Sequence, residues 1–215
     1  VKERHKWRTL YHMLNINKQD ISIYINAMIE IEEKTRSCYE GPLDVTSNEF
    51  VQMLVLDGCF VIELLKGYVE GFENLGYERN DPIFAMRGMM YSIRRDMMMI
   101  ENQIPVFVLD RLIGLQSVDG PGKKGLVAEL ALIFFDPLSP NDEPLTARQK
   151  TRLESSMFNL LSDQVGLHCL DLFRRSLLRK GITKFYILVI IYILHIAQYL
   201  EIILSISSGA QWQIH

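Results

Sequence analysis

Asp57, Asp96 and Glu101 are the side chains of this sequence with most scope for chemistry, because carboxylates held close together can divide general acid and general base roles. Nothing in their spacing makes them converge. A buried polar network that ties helices together uses the same residue types, and Asp57, among apolar neighbours, is expected to be buried and to need an Arg, Lys or backbone donor. His5 and His12 are seven residues apart and can share a helix face, but no third ligand accompanies them, so they read as solvated histidines. His168 and Cys169 fall on different helix faces and read as packing residues. The run Gly120-Pro121-Gly122-Lys123-Lys124-Gly125 suggests a phosphate cradle, yet Leu126 and Val127 stand where a P-loop needs Lys and Ser or Thr. Nucleophile elbows, paired zinc histidines and dinucleotide glycine fingerprints are all missing from the sequence. The expectation is therefore a non-enzymatic protein with no catalytic residue, cofactor or metal site.

The elements that would position these residues read as helices. Asp20 to Thr35 forms the first clear one, and Gly41-Pro42 breaks the chain after it. Thr46-Ser47-Asn48-Glu49 is a capping box, with Val45 and Phe50 placed as a staple, and it opens a second helix expected to stop at Gly67. Gln52, Glu63 and Lys66 form its polar stripe. A third helix is expected from Ala85 to Gln103; its methionines, among them Met86, Met89, Met90, Met97, Met98 and Met99, read as core filling rather than as a partner groove. Pro105 either kinks this helix or begins the next, and Glu101, Asn102 and Gln103 can satisfy backbone groups left unpaired there. Leu126 to Phe135 is a short apolar helix, and Thr146 to Arg179 reads as mainly helical. The loops Gly67 to Asn80 and Ser117 to Gly125 are expected to be exposed carriers of specificity. No segment demands a sheet.

Composition agrees with a folded, largely intracellular body. Of 215 residues 48% are hydrophobic and 23% charged, too apolar for disorder, and a net charge of −3 argues against binding nucleic acid through its phosphates. Cys38, Cys59 and Cys169 are odd in number and lack close pairing, which fits a reducing compartment. The charged start, Val1 to Arg8, is no signal peptide, and the missing initiator Met suggests that residues precede it.

Hydrophobicity is concentrated at the other end. Ile182 to Ile206 contains 19 hydrophobic residues in 25, and a candidate transmembrane helix covers 185–204. Arg174, Arg175, Arg179, Lys180 and Lys184 flank it, which by the positive-inside rule keeps the body cytoplasmic; the plasma membrane is the expected location. Against this, His195, Gln198, Glu201 and Ser205 form a polar stripe suited to a helix packed in a soluble fold, on a membrane surface or against a partner.

One resemblance spans these elements. Arg36-Ser37-Cys38-Tyr39, the stretch Met53 to Leu65 with Asp57-Gly58-Cys59-Phe60 at its centre, Asp81-Pro82-Ile83-Phe84, Asp96, and Ile100-Glu101-Asn102-Gln103-Ile104-Pro105 through Leu109 resemble the amino-terminal half of the plant family catalogued as domain of unknown function 247. His168 to Leu177 extends the likeness to about residue 180. The resemblance implies a helical plant protein associated with a membrane through an apolar segment near its carboxyl terminus. It implies no established enzymatic activity and, for some grass members, a link to pollen–stigma self-incompatibility. An upstream Gly-Pro-Tyr-His segment and the family's second half are missing, so a truncated member is expected, with 1–180 as a partial domain and 181–215 as a foreign tail.

The fold expected is thus all-α, an irregular multi-helix bundle ending in a hydrophobic helix. Its function is expected to be a membrane-associated interaction or signalling module with an unidentified protein partner and no nucleic acid. The alternatives are a cytoplasmic helical module or homodimer that buries its last helix and, third, an enzyme using the carboxylates.

Overall fold

The computed structural model describes residues 3–41, 43–84, 87–99, 102–116, 125–136 and 168–179. The fold is all-α: α1 (Glu3–Asn17), α2 (Ile21–Ile29), α3 (Glu32–Arg36), α4 (Ser47–Glu70), α5 (Arg87–Met97), α6 (Val106–Gln116), α7 (Leu126–Phe135) and α8 (Cys169–Arg179). Strand-like pairing among the described residues is limited to one isolated bridge, Pro105 with His168. The expected hydrophobic last helix, with Lys180 and Lys184, lies outside the described residues, as does Glu101.

The longest helix, α4, is the axis of the bundle, and α1, α2, α6 and α7 pack around it. Its start is local chemistry: Thr46 Oγ1 accepts from the Glu49 amide while Glu49 accepts from the Thr46 amide at 2.9 Å. Thirteen of its residues are buried, including Leu54, Cys59, Ile62, Leu64 and Leu65, as an axial helix requires. It does not stop at Gly67. The helix runs on to Glu70 and ends at Gly71, whose φ of 96° is open to glycine and costly for other residues. Gly67 has a different use, since a Cβ there would overlap the Phe72 ring that folds back across it.

Gly58 makes the corresponding close approach to α6. An added Cβ would overlap Leu112 Cδ1 and stand 3.7 Å from Leu109 Cδ2. Leu109 and Leu112 are both fully buried, so there is little room to yield. Gly58→Val is therefore expected to destabilise the fold by about 2–3 kcal/mol through overpacking, in a urea unfolding series followed by circular dichroism. Gly58→Ala should cost far less, because about 1 kcal/mol of helix propensity offsets a shift of Leu112.

The amino terminus departs from expectation. Rather than one helix from Asp20 to Thr35, the chain forms α1 first, then α2 and α3 separated at Glu30 and Ile31. Lys18 turns the corner with φ 51°, and Asp20 caps α2 by accepting from the Ser22 amide at 2.7 Å. Met90, Met98 and Met99 are buried and Met89 and Met97 pack against the core, in line with core filling; Met86 lies outside the described residues.

A further departure concerns α7. Gly125 supplies no side chain to cap it, and Asp110 of α6 does so from outside by accepting from the Val127 amide. Burial pushes the Asp110 carboxyl up to about 6, and the Val127 amide only partly opposes that. Because the folded state holds the proton more tightly than the unfolded chain, this group's contribution is greatest below the ordinary Asp range and declines as pH rises toward 6. The decline should amount to about 2 kcal/mol after solvent screening at its exposed edge. Asp110→Asn should flatten that slope in thermal melts recorded from pH 4 to 7.

Candidate functional site

A cavity of about 430 Å³ opens between α4, α5, Lys6 of α1, and the two loop stretches around Tyr39 to Val45 and Asn102 to Ile104. Its size falls in the range of ligand and side-chain pockets, roughly 300–1,000 Å³. The walls are mostly apolar: Phe50, Leu54, Phe60, Val61, Ile93, Met97 and Ile104. Val45 and Met53 stand on the lining with 42% and 40% exposure, so apolar surface continues to the rim.

Polar groups enter from separate elements. Asp57 projects from α4 and Lys6 from α1, with Nζ 2.6 Å from Asp57 Oδ1. The expected burial of Asp57 is not found; its side chain is 31% exposed, because this face of α4 looks into the cleft rather than at another helix. Within α4 the buried carboxylate is Glu63, at 4%, which the helical pattern had placed on a polar stripe. The loop 71–84 covers it and Tyr77 donates its hydroxyl to Glu63 Oε2 at 3.1 Å. Burial raises the Glu63 carboxyl above its usual range, against the opposing effects of Lys66, Tyr77 and His12.

The opposite wall is a hydrogen-bonded knot. Asn102 Nδ2 donates to the Asp96 carbonyl at 3.0 Å, and Gln103 Nε2 donates to the carbonyls of Met97 and Met99 at 2.8 and 2.5 Å. These carbonyls lie at and just beyond the end of α5; those of Asp96 and Met99 also accept from the Met99 and Asn102 amides at 3.2 and 3.1 Å. Gln103 Oε1 in turn accepts from the Leu170 amide at 3.2 Å, and the Gln103 carbonyl accepts from Tyr39 Oη at 3.0 Å. Pro105 opens α6, accepting from the amides of Val108 and Leu109, so it begins a helix rather than kinking one. Burial, with Cys38 and Asp57 adding to it, pushes the Tyr39 hydroxyl up to about 12 and keeps it a donor.

The sequence-expected residues thus divide. Tyr39, Asp57, Phe60, Asp96, Asn102 and Gln103 line one cleft. Gly58 and Cys59 face other parts of the core, Cys59 with its thiol raised by burial, and Cys38 donates to the Lys34 carbonyl on a half-buried turn. Asp96 also lies 4.0 Å from Arg95. Among the described residues no group of histidine, cysteine and carboxylate side chains is arranged to hold a metal ion. His12 is not a solvated histidine: its Nε2 is 2.9 Å from the Leu75 carbonyl and its ring lies 4.2 Å from that of Tyr77.

Three features escaped sequence reasoning. Helix α1 carries Lys6, Arg8 and His12 onto the cleft and the 71–84 loop, and the spacing of Trp7, Leu10 and Leu14 was a signal for it. Arg94 is buried at 8%, donating from Nε to the Phe134 carbonyl at 2.8 Å with its guanidinium 4.5 Å from the Tyr68 ring centre; burial lowers its proton affinity. The third is an aromatic underside to the loop expected to be exposed over 67–80: Glu73, Asn74, Glu78, Arg79 and Asn80 are exposed as expected, but Tyr77 is buried. Phe72 and Phe84 stack at 4.3 Å and Tyr77 meets Phe84 edge-on at 4.8 Å, while 117–124 lies outside the described residues.

Among the described residues no helix is long and apolar enough to cross a membrane, and 185–204 lies outside them. In α8, Arg174 is exposed and Arg175 half-buried.

Comparison with known sequences places the whole described body in one group. The family DUF247, described as a plant protein of unknown function, matches residues 1–184. The UPF0481 protein At3g47200 of Arabidopsis thaliana is 29% identical over 182 residues, which is 82% of this chain and 33% of that protein. A second Arabidopsis thaliana UPF0481 protein, At3g02645, is 30% identical over 116 residues, 54% of this chain and 20% of that one. The chain therefore spans a third or less of the length of these curated relatives. No solved structure matches it. The chain belongs to the plant DUF247 family.

Proposed function

We propose that this family member is a non-enzymatic helical interaction module that receives a protein partner in the cleft beside α4 and is held at a membrane by 185–204, with its body on the cytoplasmic side. The observation that carries the reading is the meeting of four separated family-motif segments at one apolar cleft whose polar groups are engaged within the protein. Gln103 and Asn102 hold backbone carbonyls, Tyr39 donates to Gln103, and Asp57 is paired with Lys6. That arrangement suits a shaped, pre-formed receptor surface better than acid–base chemistry. Support for the membrane part comes from Arg174 and Arg175, which lead into the apolar run. A recognition role of the kind the family resemblance implies is the narrower form of this reading.

A photo-cross-linker at Met53, on the cleft rim, should capture a defined partner in plant tissue, while one at Tyr11, 70% exposed and away from the cleft, should not. Equal capture from both positions, or none from Met53, would sink the cleft reading. Carbonate extraction addresses the anchor separately, since release of the full-length protein would remove it. The stripe His195, Gln198, Glu201 and Ser205 favours the rival, a soluble module or homodimer that buries its last helix. Deletion from Gly181 onward leaves the body folded if the segment is an anchor and unfolds it if the segment is core.

A further inference from the structure

Resting on the reading of 185–204 as a membrane anchor, we propose that the basic run Arg174, Arg175, Arg179, Lys180 and Lys184 binds the headgroups of anionic phospholipids, so that the anchor selects a negatively charged leaflet. Charge along the sequence sets this run apart. Its five cations fall within eleven residues, and no Asp or Glu occurs between Asp171 and Glu201. Without those five, the rest of the chain carries 18 Lys and Arg against 26 Asp and Glu, a net charge of −8. An anionic leaflet therefore repels the body and attracts this run, which turns the end bearing the apolar segment toward the bilayer.

The fold keeps the start of the run available. Helix α8 is fixed by its inner face: Cys169, Leu172 and Phe173 are buried, and the Phe173 ring lies 6.1 Å from that of Phe135 on α7. Arg174 is consequently exposed and Arg175 half-buried. Cations elsewhere are matched, Lys6 with Asp57, Arg8 with Asp81, Arg36 with Glu32 and Arg111 with Glu30. Arg174 and Arg175 have no ion pair among the described residues, and the acid nearest in sequence, Asp171, faces His168 at 3.6 Å. The same charges would suit an acidic protein. What favours lipid is their place, directly before a segment with 19 hydrophobic residues in 25, where the headgroup layer lies once that segment enters a bilayer.

Competition between two vesicle populations tests this with the full 215-residue chain. One population is phosphatidylcholine alone; the other contains about one-third phosphatidylserine and is loaded with sucrose so that the two separate on centrifugation. The apolar segment enters both alike, so competition cancels its contribution. At about 0.1 M salt the chain is expected to favour the anionic vesicles by roughly a hundredfold, and the preference should fade near 1 M, where screening acts over about 3 Å. Replacing Arg174 and Arg175 together by Gln should cut it about tenfold, from about fivefold for a surface cation and less for half-buried Arg175. Replacing both by Lys should leave it within about twofold, because a surface potential reads charge rather than the guanidinium fork, whereas a packing role would not be rescued. Equal distribution, absence from both populations, a preference unchanged by the Gln pair or one lost in the Lys pair would each overturn the proposal. So would binding of polyglutamate in place of the anionic vesicles, which would make the run an acidic-protein site. Carbonate extraction separates the two readings: protein that resists it yet divides equally keeps the anchor and removes the lipid preference. Protein released by carbonate after collecting on the anionic vesicles keeps the headgroup binding and removes the anchor.

Discussion

Replacing Asp81 with alanine is expected to lower the stability of the described body by about 3 kcal/mol, at the lower end of what breaking a buried ion pair costs. Asp81 is 5% exposed and accepts four hydrogen bonds from three residues. Arg8 reaches it twice, Nη1 to Oδ2 at 2.8 Å and Nη2 to Oδ1 at 3.0 Å, and the amides of Ile83 and Phe84 reach Oδ1 at 2.9 and 3.1 Å. The alanine variant leaves two buried amides unpaired and frees α1 from the loop that places Phe84 against Phe72 and Tyr77. Arg8 is 39% exposed, and water can take over part of its charge, which keeps the loss below the maximum. Asp81→Asn should cost roughly half as much, about 1–2 kcal/mol, because its carbonyl can still accept the two amides. Urea unfolding followed by circular dichroism reads both.

The same residue sets an acid limit. Burial by itself would raise the Asp81 carboxyl, but the hydrogen bonds from Arg8, Phe84 and Ile83 outweigh it and hold the group below the usual Asp value. Its folded-state proton affinity is therefore depressed, so its stabilisation is fully present above the ordinary Asp range and is lost as pH falls through the lower folded value. Asp110 acts in the opposite direction between pH 4 and 6. Wild-type stability should consequently peak on the acid side of neutrality, and Asp81→Asn should move that peak to lower pH by removing the acid-side loss.

What could be read from the sequence follows the range of each interaction. The Thr46–Glu49 capping box and the helix opened by Pro105 are settled within a few residues, and both stand where the pattern puts them. Burial along α4 was not legible, because it depends on what lies opposite. Asp57 faces a cleft and Glu63 lies under the 71–84 loop, although the apolar spacing suggests the reverse. Gly67 read as the stop, but the helix ends at Gly71, and Gly67 instead makes room for the Phe72 ring. The motif segments identified the family, but their meeting around one cavity rests on contacts between residues as far apart as Tyr39 and Gln103. Lys6 and Arg8 were hidden for a related reason: a charged amino terminus reads as solvated until its partners, 51 and 73 residues away, are in place.

Gln103 should give the other large effect, because it joins three elements through one amide. Gln103→Leu preserves approximate size while removing the donor to Met97 and Met99 and the acceptor for the Leu170 amide. Each buried group so abandoned costs about 1–3 kcal/mol, and a loss of about 3–4 kcal/mol is expected because the end of α5 can partly relax. Gln103→Glu separates the two roles. It keeps an acceptor for Leu170 but turns a carboxylate toward two carbonyls, so it should be no better than leucine despite its closer shape. The loss should also be uneven: α8 is tied to the cleft wall by the Leu170 amide and the Pro105–His168 bridge, so its amides should gain hydrogen-exchange rate before those of α4. If α8 and α4 lose protection together at the same denaturant concentration, Gln103 is only one more core contact. If α8 opens first, Gln103 is the residue that couples the cleft to the helix bearing Arg174 and Arg175, and so the proposed partner site to the basic flank of the proposed anchor.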